Sequence, residues 1–199
     1  MWARTDVPGS ELVVFDDRAG LHARGWQQAV DPEPYALAYE LWTDELWATT
    51  RCIARCEGAG WTRDLELVHT NEGWDCVGSA HGAPNLSSFD GVGIRPPAPP
   101  GSAQPGLLRA AVDIDMGGSP LTNALPVRRL GLLASPPTHR VAVVSAWILP
   151  PTLEVIASAQ TYTVLGEGRV RYSDSSTGVT VRYDADGWVD DYPGLARRV

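Results

Sequence analysis

Apolar and polar residues alternate along most of this chain, and a period of two predicts strands rather than helices. Tyr35, Leu37, Tyr39 and Leu41 fall on one face of one run. Leu108, Ala110, Val112, Ile114 and Met116 share a face of another, with Arg109, Asp113 and Asp115 opposite. Near the end, Val179, Val181 and Tyr183 alternate with Thr180, Arg182 and Asp184. Asn71-Glu72-Gly73 and Asp184-Ala185-Asp186-Gly187 separate such runs, and each ends in a glycine suited to positive φ. Closely spaced strands with turn signals predict an antiparallel sheet, sandwich or barrel. Arg140–Leu149 is apolar on both faces, which predicts a central strand covered on both sides.

One segment breaks the alternation. Ser119-Pro120-Leu121-Thr122-Asn123-Ala124-Leu125-Pro126-Val127-Arg128-Arg129-Leu130 is too apolar for a solvated loop. Pro126 interrupts either a ladder or a long helix. The expectation is a folded-in connection, with Ser119 capping a short turn that Pro126 limits, carrying Arg128 and Arg129 to a defined place.

Composition narrows the classes. A chain of 199 residues is long enough for one domain with a real core. The formal charge of −8 argues against nucleic acid as a partner. Every basic residue is arginine, so forked guanidinium groups are the strong cations on offer. No run approaches the ~20 apolar residues of a membrane span, and Met1–Ser10 lacks the pattern of a signal peptide, so a cytoplasmic protein is expected. Cys52, Cys56 and Cys76 are then reduced thiols; Cys52 and Cys56 share a strand face as small buried hydrophobes. The four histidines lack metal-ligand spacing, and neither metal nor cofactor is expected. There is no nucleophile elbow, dinucleotide fingerprint or phosphate loop, and no catalytic residue is assigned.

The segment around Asn123, Pro126, Arg128 and Arg129 resembles the signature of a family described as "putative glycolipid-binding", first defined as a bacterial domain of unknown function. Trp47–Arg51, Leu65-Glu66-Leu67 with Gly73-Trp74, Gln160-Thr161-Tyr162-Thr163, and Asp186–Leu195 fit in the same order. The resemblance implies a fold similar to the bacterial lipoprotein carriers, which hold acyl chains against a curved sheet. It also implies a shorter connection where this chain has Arg95–Gly106, so the Pro-rich stretch at about 94–106 reads as an insert. Its composition predicts a surface loop that is dispensable for stability.

The candidate ligand-binding residues are Arg51, Asp115, Asn123, Arg128, Arg129, Gln160, Tyr162 and Tyr192. Neighbouring side chains on an extended chain point apart, so only one of Arg128 and Arg129 enters a cavity. That one either grips a polar headgroup or forms an internal ion pair with Asp113 or Asp115. Thr122 and Asn123 either face the ligand or bond the backbone of their own turn. Gln160 and Tyr162 share a face with Thr152, Glu154, Ile156 and Ser158, which suits a cavity wall or a half-exposed surface. Leu153, Val155, Ala157, Ala159 and Leu165, on the other face, are the core candidates. Arg51 either lines a pocket or meets water, and the Tyr192 hydroxyl needs a partner if buried.

The expected architecture is one mainly β domain over 1–199: an antiparallel, strongly curved sheet forming an incomplete barrel with short helical cover. The leading function is non-catalytic binding of an amphiphilic small molecule, a glycolipid or fatty-acyl compound, in the curve. The alternatives are an enzyme or isomerase acting on a small polar metabolite in the same cavity, and a structural or homodimerising protein with a filled interior. A cavity lined by apolar side chains and one arginine favours the first.

Overall fold

Residues 1–84, 98–175 and 178–199 are described by a computed structural model. The first half of the chain is a meander: β1 (Trp2–Arg4), β2 (Gly9–Asp16), β3 (His22–Ala29), β4 (Tyr35–Thr43), β5 (Thr49–Gly58), β6 (Trp61–Thr70) and β7 (Gly73–His81). A 3₁₀ turn over Pro105–Ala110 leads into β8 (Ala111–Met116), α1 (Pro120–Arg129) and β9 (Arg140–Leu149). The strands β10 (Glu154–Gly166), β11 (Arg169–Ser173), β12 (Gly178–Tyr183), β13 (Val189–Tyr192) and β14 (Ala196–Arg198) complete the chain.

All fourteen strands join one sheet in the order 7-6-5-4-3-2-1-14-13-12-11-10-9-8. The sheet curls into a nearly closed barrel with a seam. The terminal strands β1 and β14 pair in its middle, and β7 and β8 form its two edges. Side chains and loops span the seam. The Trp74 indole donates to the Ala111 carbonyl at 2.9 Å. Gly101 pairs through its backbone with Leu153 and Val155, while Pro100 lies against Gly78 of β7.

Most pairs are antiparallel, as alternation and short turns predict. The exception is β8, which runs parallel to β9. A parallel pair needs a crossover, and here α1 lies within it. This explains the odd segment: it is a ten-residue helix, longer than the turn expected. Pro120 occupies a first-turn position where a missing N–H costs nothing, and Ser119 is the N-cap residue. Pro126 falls in the interior, where proline typically costs about 3 kcal/mol. Burial offsets this, because every residue from Pro120 to Val127 is buried. A helix buried all round is enclosed by its surroundings. Its neighbours come from both halves of the sheet: the Leu121 amide donates to Glu11 of β2, and the Tyr183 hydroxyl of β12 donates to the Asn123 carbonyl.

Two apolar clusters result. The larger holds Leu37, Leu41, Cys52, Cys56, Leu67, Ile114, Met116, Leu121 and Leu125. The smaller, beyond α1, holds Val127, Tyr162, Val164, Val170, Tyr172, Val181 and Tyr183.

Two sequence expectations need correction. Arg140–Leu149 is not a central strand; it lies one place in from the seam, between β8 and β10. The inward face of β10 changes along its length. Leu153 and Val155 are buried, then Gln160, Tyr162 and Val164, whereas Ala159 and Leu165 are exposed. A strand of thirteen residues in a twisted sheet turns its faces as it goes. In the Pro-rich stretch Gly101 is buried and paired while 103–106 are exposed; its first residues, 94–97, lie outside the described residues.

Candidate functional site

The crossover helix brings its two arginines to different places. Arg129 turns to β8, where its guanidinium forks onto the Asp113 carboxylate at 2.7–3.2 Å. Asp113 is fully buried. Burial pushes its carboxyl up, and the Arg129 guanidinium pulls it back. Arg128 turns to the rim. Its guanidinium lies 3.9 Å from the centre of the Trp47 ring and 4.7 Å from that of Trp188, and pairs with Asp17 at 3.2 Å.

The two tryptophans come from matched turns. In each, an aspartate (Asp44 or Asp184) caps the turn with its carboxylate, bonding the amides two and four residues on. The fourth position needs positive φ. Gly187 supplies it freely at 85°, but Trp47 adopts 71°, a conformation a bulky residue avoids. The stack on Arg128 accompanies that strained position.

Asp115 lies two residues after Asp113, on the same strand face. Its carboxylate accepts from the Gln160 amide at 2.6 Å. Gln160 is buried and fully used: its carbonyl oxygen accepts from Ser145 and Tyr162 hydroxyls at 3.2 and 3.1 Å, and its amide also reaches Ser158. Around this hub stand Tyr162, Tyr172, Tyr183 and Tyr192, two of whose rings meet edge-on at 5.6 Å. Burial raises all four hydroxyls and the Asp115 charge adds to it, so they remain protonated. Burial also pushes the Asp115 carboxyl up to about 6, with the Gln160 bond opposing. The Asn123 side-chain oxygen is buried and has no hydrogen-bond partner among the described residues.

Beside this cluster lies an apolar hollow of about 500 Å³. It forms because β8 pairs with β9 only from Val144 onward, so Arg140–Val143 runs past the end of β8. Val112, Leu130, Val141, Val143, Val144 and Ala159 line it, with Arg129, Gln160 and Thr161 as its polar members. Gln160 therefore belongs to both the hollow and the tyrosine–aspartate cluster. The volume falls in the range of small-molecule sites. A larger hollow, about 610 Å³, lies on the outer face against Trp26, away from the crossover.

Six of the eight predicted residues thus share one region: Asp115, Asn123, Arg129, Gln160, Tyr162 and Tyr192. Arg128 is at the rim, held by rings. Arg51 is outside, exposed, paired with Glu66 and lying over Trp42. Several residues escaped the sequence reading. Tyr172 and Tyr183 sit on regular strands and look like ordinary core. Glu11 is fully buried, accepting the Tyr39 hydroxyl at 2.7 Å and raised by that burial. Its signal is inverted, since the neighbours Leu12 and Val14 are the exposed ones. No group of His, Cys, Asp or Glu among the described residues is placed to hold a metal ion.

The model of the family described as "putative glycolipid-binding" matches residues 1–198. The chain belongs to this family. It is also similar to the crystal structure of a DUF1089 family protein from Pseudomonas aeruginosa, with 27% identity and a TM-score of 0.73, covering 96% of this chain and 94% of that one. No curated protein matches. No helix among the described residues is long and apolar enough to cross a membrane.

Proposed function

We propose that this protein binds an amphiphile without transforming it. The tail occupies the hollow at the end of β8, and the head meets the polar cluster beyond Gln160. The observation that carries this reading is the composition of the hollow: mostly apolar side chains with one guanidinium, one amide and one hydroxyl. An apolar wall with a few placed polar groups suits a ligand with two unlike ends. Family membership supports the same class, a glycolipid in particular. The polar side chains favour holding over chemistry. Arg129 is matched to Asp113 and Gln160 is fully bonded, which is the arrangement of a scaffold. Binding in the cytoplasm is part of the proposal.

Native mass spectrometry tests this on protein purified from its own host, before and after organic extraction. The expected result is a stoichiometric adduct of amphiphile mass that extraction removes. A chain that carries no adduct and also fails to bind added dodecyl glucoside would overturn the proposal.

A further inference from the structure

The outer face of the meander carries an interaction surface that the hollow at β8 does not use. We infer that this face pairs with a second copy of the chain, about a two-fold axis running along β3 and β4. Register sets its outward residues in rows. Leu12, Trp26, Ala38 and Arg55 form one row across β2–β5, and Val14, Arg24, Glu40 and Ile53 form the next. Trp26, 48% exposed, stands beside the small, exposed side chains of Ala36 and Ala38, and the gap they leave is the outer hollow of about 610 Å³.

Area and apolarity argue for a protein partner. Met1, Leu12, Val14, Trp26 and Val30 are each about half exposed on this one face. Together they offer roughly 500 Å² of apolar surface, the size at which a patch on a monomer is often functional. With a rim of Ser10, Gln28, Arg24 and Arg55, the footprint approaches the ~800 Å² per partner of a stable interface.

Shape and charge argue that the partner is the same chain. A two-fold axis in the plane of contact, between β3 and β4, lays each of these strands on the other one of the second copy. Residues paired in the β3–β4 register then meet across the interface. Each Trp26 covers the other copy's Ala38, so a knob fills a hole on both sides of the axis, as a closed isologous contact requires. Each Val14 lies over Ile53 and each Arg24 over Glu40 of the other copy. Within a chain Arg24 already pairs with Glu40 at 2.9 Å, so the two copies complete a box of alternating charge. The formal charge of −8 opposes self-association in general, but Arg24 and Arg55 balance Glu40 and Glu57 around the Trp26 row.

Analytical ultracentrifugation of the full chain over roughly 1–100 μM tests this. Wild type should sediment as a dimer at the upper end of that range. Trp26→Ser and Ala38→Arg alter exposed side chains, so their circular dichroism should match wild type while dimerisation weakens at least roughly tenfold. The charges give the sharper readout. Arg24→Glu and Glu40→Arg each set like charges across the axis, and each should be monomeric alone. Mixed in equal amounts they should form a heterodimer, because opposite charges then meet between chains while the pair within each chain stays repulsive. Three results would each overturn the proposal: a wild type that stays monomeric, a dimer untouched by Trp26→Ser and Ala38→Arg, or single charge variants that stay dimeric or fail to pair on mixing.

Discussion

Arg128 and Arg129 are adjacent in the chain and opposite in role, and separate substitutions should show it. Arg129→Ala strands a fully buried carboxylate, and breaking such a pair typically costs about 3–5 kcal/mol. Its urea midpoint should fall accordingly, and Arg129→Ala with Asp113→Ala should recover part of the loss. Arg128→Ala loses its stack on two rings, worth about 2 kcal/mol when partly desolvated, yet amphiphile binding should survive because Arg128 is outside the hollow. Equal loss of binding in both single variants would contradict this division. Asp115 adds a pH signature. Its carboxyl rises from 3.8 unfolded to about 6 folded, so the folded state holds the extra proton between those values. The stability this contributes is present below pH 3.8 and lost as pH rises through 6, amounting to at most about 3 kcal/mol. Asp115→Asn should remove that slope from a plot of unfolding free energy against pH; an unchanged slope would show that Asp115 titrates normally. At this scale the sequence offered an internal ion pair with Asp113 or Asp115 as one of two readings, and it did not say which arginine makes it. Two neighbouring arginines look alike until the helix turn sends one to β8 and one to the rim.

At the scale of elements, α1 departed furthest from expectation, and the Pro-rich loop is held to the seam at Gly101. Proline-rich composition argues that a segment cannot bury enough to order itself. Gly101 shows another route, because two backbone hydrogen bonds to Leu153 and Val155 need no side chain at all. Replacing residues 98–106 with a Gly-Ser linker should therefore lower the melting temperature by roughly 2–8 °C, the loss expected from a few backbone bonds in a domain of this size. An unchanged melting temperature would restore the reading of a dispensable insert. The start of the helix at Ser119-Pro120 was legible, but not its ten-residue length, since Pro126 argues locally against more than a short turn. Only the crossover between parallel strands explains why that cost is tolerated, and parallel pairing is not written in any local pattern. The strands were far more legible. Tyr35, Leu37, Tyr39 and Leu41 are all buried, as alternation requires. Alternation failed where twist or bulges change a strand's phase: in β10, and in β8, where Asp113 and Ile114 are both buried.

At the scale of the molecule, the curved, nearly closed sheet emerged from alternation and resemblance together, because a long antiparallel meander has few other ways to bury one face. Its interior is not an open carrier's trough. α1 fills the middle, the larger apolar cluster packs one side, and the space for a ligand is left at the end of β8, where one strand outruns its neighbour. That is the central claim, and filling the space tests it. Ala159 lines the hollow from an exposed position on β10, so Ala159→Trp should occupy the hollow without disturbing the core. The measurement is calorimetric titration of wild type and Ala159→Trp with dodecyl glucoside below its micelle concentration, with melting temperatures taken in parallel. The account predicts at least a roughly tenfold loss of affinity at an unchanged melting temperature. Wild-type affinity in a normally folded Ala159→Trp protein would contradict it and move the binding site elsewhere on the barrel.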